Sequence, residues 1–200
     1  MQQPKPEIKL DLETVDAKSS RAGALDFPRT ALSDALESVI EFFGGIINWI
    51  WIVLVLVIVG TVVGRYVFAV NYIWVEEVQW HMYAVGFMLG IGYALKHDAH
   101  VRVDVLAMNL RPRTRAWIEL LGILILIAPV VYMILSYAIP FVEASWRRGE
   151  TSSAPGGLNH RWAIKSVIVL AFVYLGLAAL ARAVRISAFL FGFPRPRAAS

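Results

Sequence analysis

Four times between residues 43 and 184 the sequence settles into a long apolar run: 43–68, 78–95, 117–142 and 162–184. A helix rises 1.5 Å per residue and the hydrocarbon core of a bilayer is about 30 Å thick, so each run approaches the roughly 20 residues that one crossing takes. No soluble core needs four such segments in one short chain. The composition agrees, with 58% apolar and 17% charged residues among 200, where a soluble domain has about half and about a quarter. The expected fold class is therefore all-α, an integral membrane protein with four transmembrane helices and interfacial amphipathic helices. The absence of cysteine excludes a disulfide scaffold, thiolate metal sites and a cysteine nucleophile. The net charge of +4 comes from residues that flank the runs and do not line one soluble face, so no nucleic-acid partner is expected.

The runs carry their own punctuation. The first has no charge before Arg65, and the second opens on Glu76 and Glu77. Within the second, Gly86 and Gly90, followed by Gly92, smooth one helix face for the close approach of another helix. The third holds Glu119 one turn in and Pro129 at mid-span, where a kink is expected. Arg182 and Arg185 at the end of the fourth are placed to snorkel to headgroups. Tryptophans 49, 51, 74, 80, 117, 146 and 162 fall mostly near run ends, as an interfacial belt requires.

Residues 1–29 read as a solvated cytoplasmic tail with plentiful acidic residues and no cleavage pattern of a signal peptide. In residues 30–42, Leu32, Leu36, Val39 and Ile40 recur at helical spacing against Asp34, Glu37 and Glu41, which predicts an interfacial helix with Thr30 as its N-cap. The membrane domain then covers 43–185, and 186–200 form a basic tail. Counting lysine plus arginine, the middle connection holds five, the C-terminal tail four and the N-terminal tail five, against one and four in the two remaining connections. The positive-inside rule places both termini in the cytoplasm, with the cationic third connection as the discordant element.

The densest polar constellation follows the second run. His97, His100 and Asp104 share a helix face at a spacing compatible with a divalent metal, but Val101, Val105, Leu106 and Leu110 recur at near-helical spacing as well, which describes an amphipathic helix along the membrane. A haem anchor would hold histidines deep in its helices, and a stand-alone carrier would bury a carboxylate or break helices at the midplane; no run has these features. Glu76 and Glu77 suit the start of a helix, and Arg65 can pair with either.

Taken in order, Arg65-Tyr66, Trp74-x-Glu76-Glu77, Gly86 and Gly90, and His100-Val101-Arg102-Val103-Asp104 before a basic loop resemble the small membrane subunit of a TRAP (tripartite ATP-independent periplasmic) transporter. The resemblance runs from about Phe43 to Arg185, and the tail before Thr30 lies outside it. The stretch from Ser153 to Leu158 ahead of Arg161-Trp162 is similar to the branch associated with mannitol, chloroaromatic or keto-acid substrates. The resemblance implies a small accessory subunit in the bacterial inner membrane, without cofactor or catalysis, that anchors a large membrane subunit holding the substrate and sodium sites. A periplasmic substrate-binding protein delivers the solute, an organic acid or relative. It further implies that Arg65, Trp74, Glu76 and Glu77 set the outer turn, that Gly86 and Gly90 form a helix contact, and that His100 and Asp104 fix the cytoplasmic loop. Arg147 and Arg148, in the outer connection, are candidates for docking the binding protein. The alternatives are a membrane anchor of a respiratory complex, which a haem spectrum would reveal, and a stand-alone small carrier, which would transport in vesicles by itself.

Overall fold

The computed structural model describes residues 27–97 and 110–193, and all its regular structure among these is helical. Helix α1 spans Ala31–Val67, α2 Ile73–Lys96, α3 Pro112–Arg147 and α4 Trp162–Phe191. Thr30 caps α1 as its residue type suggests: its side chain accepts from the Ser33 amide at 3.2 Å while the Ser33 hydroxyl accepts from the Thr30 amide at 3.0 Å, both residues being buried. This reciprocal box satisfies two of the amides a helix start leaves open. The division expected at residue 43 is not a break in the backbone. The amphipathic stretch and the first apolar run form one helix of 37 residues, about 55 Å long.

Helices α1, α3 and α4 are long and apolar enough to cross a membrane. The second run becomes α2, 24 residues long and so about 36 Å. Its length suffices for a crossing, but with Glu76, Glu77, Gln79 and His81 in its first turns it lacks the long apolar stretch that the other three contain. The four expected crossings therefore stand as three helices that qualify on length and apolarity together, and one on length.

Helix α4 is the element around which the others gather, packing against α1, α2 and the length of α3, whereas α1 and α3 have no comparable packing on each other. Its buried alanines 171, 178, 179, 181 and 188 explain why. Small side chains let neighbouring backbones approach closely where no hydrophobic drive separates helix from lipid. One buried cluster joins Phe27, Ala116, Leu120, Ile123, Ala179 and Ile186. A second joins Ile40, Tyr174 and Ala178, with the Tyr174 hydroxyl donating to the Ile40 carbonyl at 2.7 Å.

The glycines of α2 divide differently from the sequence expectation. A Cβ on Gly86 would stand 3.0 Å from the Trp51 ring of α1, and one on Gly92 would strike the Tyr174 ring of α4, but Gly90 has nothing within 4 Å. The close contacts belong to Gly86 and Gly92, one for each neighbouring helix; Gly90 is not part of them. At Pro129 the backbone responds with a π-helical turn over Ile123–Ile127 immediately ahead of the proline. Proline brings no amide to the helix, and a widened turn is one way to absorb that loss.

Candidate functional site

The helices bring charged residues together at both ends of the bundle. At one end meet the start of α1, the end of α2, the start of α3 and the end of α4. Arg185 reaches back from α4 to Glu37 of α1, Nη1 to Oε1 3.0 Å, and donates through Nη2 to the Phe27 carbonyl at 2.7 Å. One turn earlier, Arg182 pairs with Glu119 of α3 at 2.8 Å and lies 5.1 Å over the Phe27 ring. These four charged side chains are only 11 to 17% exposed. That overturns the expectation that Arg182 and Arg185 snorkel outward: both point into the bundle and tie α4 to its neighbours. Lys96 completes the set, pairing with Glu41 and donating to the Glu37 carbonyl at 3.3 Å, and His97 stands 3.2 Å from the same Glu41 carboxylate.

At the opposite end the partners are nearer in sequence or lie in a loop. Ala69 adopts a left-handed conformation, φ 53°, which lets the Val70 amide fold back onto the Gly64 carbonyl and turns the chain sharply after α1. Across this turn Arg65 pairs with Glu76 and donates to the Asn71 side chain at 3.2 Å. Trp74 is half exposed beside Tyr72, ring centroids 6.3 Å apart. Glu77 faces elsewhere. Its carboxylate accepts from the Ser152 hydroxyl and, at 2.6 Å, from the Leu158 amide, so it holds the connection 148–161 against the head of α2. Gly157 makes this approach possible, since a Cβ there would lie 2.9 Å from the Glu77 carboxylate and closer still to Ser152.

The same connection is fastened at its base. Glu150 accepts from Lys165 of α4 and from the Ser145 hydroxyl, the latter at 2.7 Å, and the Lys165 ammonium sits 4.1 Å over the Phe141 ring. Trp146 and Trp162 meet edge to face at 4.4 Å where the two helices converge. The bond from Lys165, with help from Ser145, holds the Glu150 carboxyl below the usual carboxylate range. Glu77, which stands ahead of the apolar stretch 78–95, is lowered by the Ser152 bond and then by the Leu158 amide. Both are therefore anionic at neutral pH, as their acceptor roles require.

Of the residues singled out in the sequence, the structure joins Arg65 to Glu76 and separates Glu77 from that pair. Arg147 pairs with Glu143 one turn back and is 74% exposed, and Arg148 is exposed at the end of α3. His100 and Asp104 lie outside the described residues. Among the described residues no group of three or more His, Cys, Asp or Glu is placed to share a metal ion. Sequence reasoning missed the pairs Glu37–Arg185 and Glu119–Arg182 and the bonds from Ser152 and Leu158 to Glu77. The signal for the first two was present: a carboxylate one turn inside an apolar run and two arginines at the close of another.

Among the described residues the arrangement offers internal bracing at both ends and no convergent reactive groups. The family model for "Tripartite ATP-independent periplasmic transporters, DctQ component" matches residues 54–189, well over half of the chain. No curated protein matches it. The match takes in residues 54–67 of α1 and all of α2 and α3, and reaches nearly to the end of α4, so the bundle itself carries the likeness: the chain belongs to the DctQ family and is a small membrane component of a TRAP transporter.

Proposed function

We propose that this subunit is the fixed, membrane-anchored partner against which the large subunit of the transporter moves its substrate. The observation that carries this reading is the internal pairing of the bundle's carboxylates: Glu37 and Glu119 are held by arginines, Glu76 by Arg65, Glu77 by Ser152 and the Leu158 amide, Glu150 by Lys165 and Ser145. Charges spent on bracing suit a rigid scaffold; a carrier would instead need polar groups turned toward a path for solute. On this reading the chain performs no catalysis and needs no cofactor, sodium and an organic acid are bound by the large subunit, and a periplasmic binding protein delivers the solute.

The surrounding assignments follow from the same reading. The chain sits in the bacterial inner membrane with both termini in the cytoplasm, as the lysine and arginine counts favour. The braced end with Arg182 and Arg185 then faces the cytoplasm, and the Glu77 junction faces outward together with Arg147 and Arg148, which meet an acidic face of the binding protein. His100 and Asp104 order the cytoplasmic loop.

The test is a mild-detergent pull-down of the tagged chain from its native membrane, followed by reconstitution. Recovery of one large, many-spanned membrane protein in roughly equal amount, with uptake that needs both chains, is the expected result. Recovery of redox subunits with a haem spectrum, or full uptake by this chain alone, would overturn it.

A further inference from the structure

Helices α1 and α3 have no packing on each other comparable to their packing on α4. Where α1 starts and α4 finishes, the residues just ahead of α1 join them instead. Thr30 is extended, and its capping box with Ser33 turns the chain away from the axis of α1. Pro28 restricts Phe27 to extended backbone and brings no amide that would need a partner. The segment so directed sets Phe27 against α3 and α4.

Phe27 is only 2% exposed. It packs in one cluster with Ala116, Leu120 and Ile123 of α3 and with Ala179 and Ile186 of α4, and its ring meets Phe189 edge to face at 5.6 Å. Both withdrawn ion pairs converge on it. The Arg182 guanidinium, paired with Glu119 of α3, lies 5.1 Å over the ring, within the range of a cation–π contact. Arg185, paired with Glu37 of α1, donates to the Phe27 carbonyl at 2.7 Å. Glu37, Arg185, Phe27, Arg182 and Glu119 thus form one line of contacts from α1 through α4 to α3. A side chain that covers two ion pairs keeps out the water that would weaken them. Residues 27–30 lie outside the matched stretch 54–189, so the family likeness does not account for this line.

We propose that residues 27–30 are a strap that closes this end of the bundle. Phe27, seated between α3 and α4, fixes the gap between the starts of α1 and α3 and keeps the pairs Glu119–Arg182 and Glu37–Arg185 from water. The strap holds Arg182 through the ring of Phe27 and Arg185 through its backbone carbonyl, so a change of side chain touches the two arginines unequally.

The test uses the full chain in detergent, with spin labels carried on Ala35→Cys and Thr114→Cys, both exposed positions at the starts of α1 and α3. Phe27→Ala is expected to lengthen and broaden the distance between the labels. It should also raise the rate at which phenylglyoxal modifies Arg182 toward that of Arg147, which is 74% exposed. Phe27→Leu keeps an apolar plug without a ring face, and serves if the alanine variant does not fold: the distance should hold, Arg182 should become reactive and Arg185 should stay protected. Removing residues 1–25 leaves the strap in place and should change neither readout. An unchanged distance or unchanged Arg182 reactivity in folded Phe27→Ala would overturn the strap, and so would equal reactivity of the two arginines in Phe27→Leu. A longer distance on removing residues 1–25 alone would overturn it as well, because the closing role would then belong to what precedes Phe27.

Discussion

The two ends of the bundle are braced by similar residue types used in different ways. At the end formed by Phe27, the start of α1 and the end of α4, ion pairs join helices far apart in sequence, Glu37 to Arg185 and Glu119 to Arg182, and their side chains are largely withdrawn from solvent. At the other end Glu77 and Glu150 hold a loop, and Arg65 pairs with Glu76 across a tight turn, in more exposed surroundings. Each end has its own close glycine contacts: Gly44 and Gly92 are pressed against Tyr93 and Tyr174 of neighbouring helices toward the first end, while Gly157 at the second lies in the connection, against Ser152 and the Glu77 carboxylate. One end fixes the positions of the helices; the other fixes the shape of a connection.

That difference orders the expected effects. Removing one partner of a withdrawn ion pair strands the other, so Arg182→Ala should cost about 3 kcal/mol of stability in detergent unfolding, and the exchanged pair Arg182→Glu with Glu119→Arg should recover part of it. Gly92→Ala should cost about 2 kcal/mol through overpacking against Tyr174, whereas Gly90→Ala should stay within about 0.5 kcal/mol of the parent; equal costs would deny the tight packing at the first end.

Glu77→Ala should leave the helices intact yet speed tryptic cleavage at Arg148 and Arg161, and weaken assembly and uptake. Unchanged cleavage, assembly and uptake would show that the junction orders nothing. The smallest effect is that of pH. The folded carboxyls of Glu77 and Glu150 are held below the ordinary glutamate value by their hydrogen bonds, so their contribution is fully present above that ordinary value and lost as the pH falls through the depressed folded values. The Leu158 amide resonance should therefore hold steady from neutral pH down to about 4.5 and shift only below it; a shift near pH 6 would point to a different group.

The four helices, the Thr30 cap and the pairing of Arg65 with a neighbouring glutamate were legible in the sequence because each rests on local spacing. The snorkelling expected of Arg182 and Arg185 failed for the opposite reason. Hydropathy marks where a run ends but not which way its last arginines turn, and only the packing of α4 against α1 and α3 brings Glu37 and Glu119 within reach. Gly90 misled in the same way: glycine spacing marks a smooth face, while the neighbour that uses it is decided by tertiary packing, here Trp51 at Gly86 and Tyr174 at Gly92. The junction of Glu77 with Ser152 and Leu158 spans 75 and 81 positions, beyond any local pattern.

The central claim is that this subunit stays rigid while its partner moves. Because the chain lacks cysteine, spin labels can be placed at will: one pair at Phe42 and Phe193 for the first end, another at Tyr66 and Arg147 for the second, all exposed. Distances measured by pulsed electron resonance in the assembled transporter should be the same with and without sodium and solute, for both pairs. A change in either distance on adding sodium and solute would contradict the account.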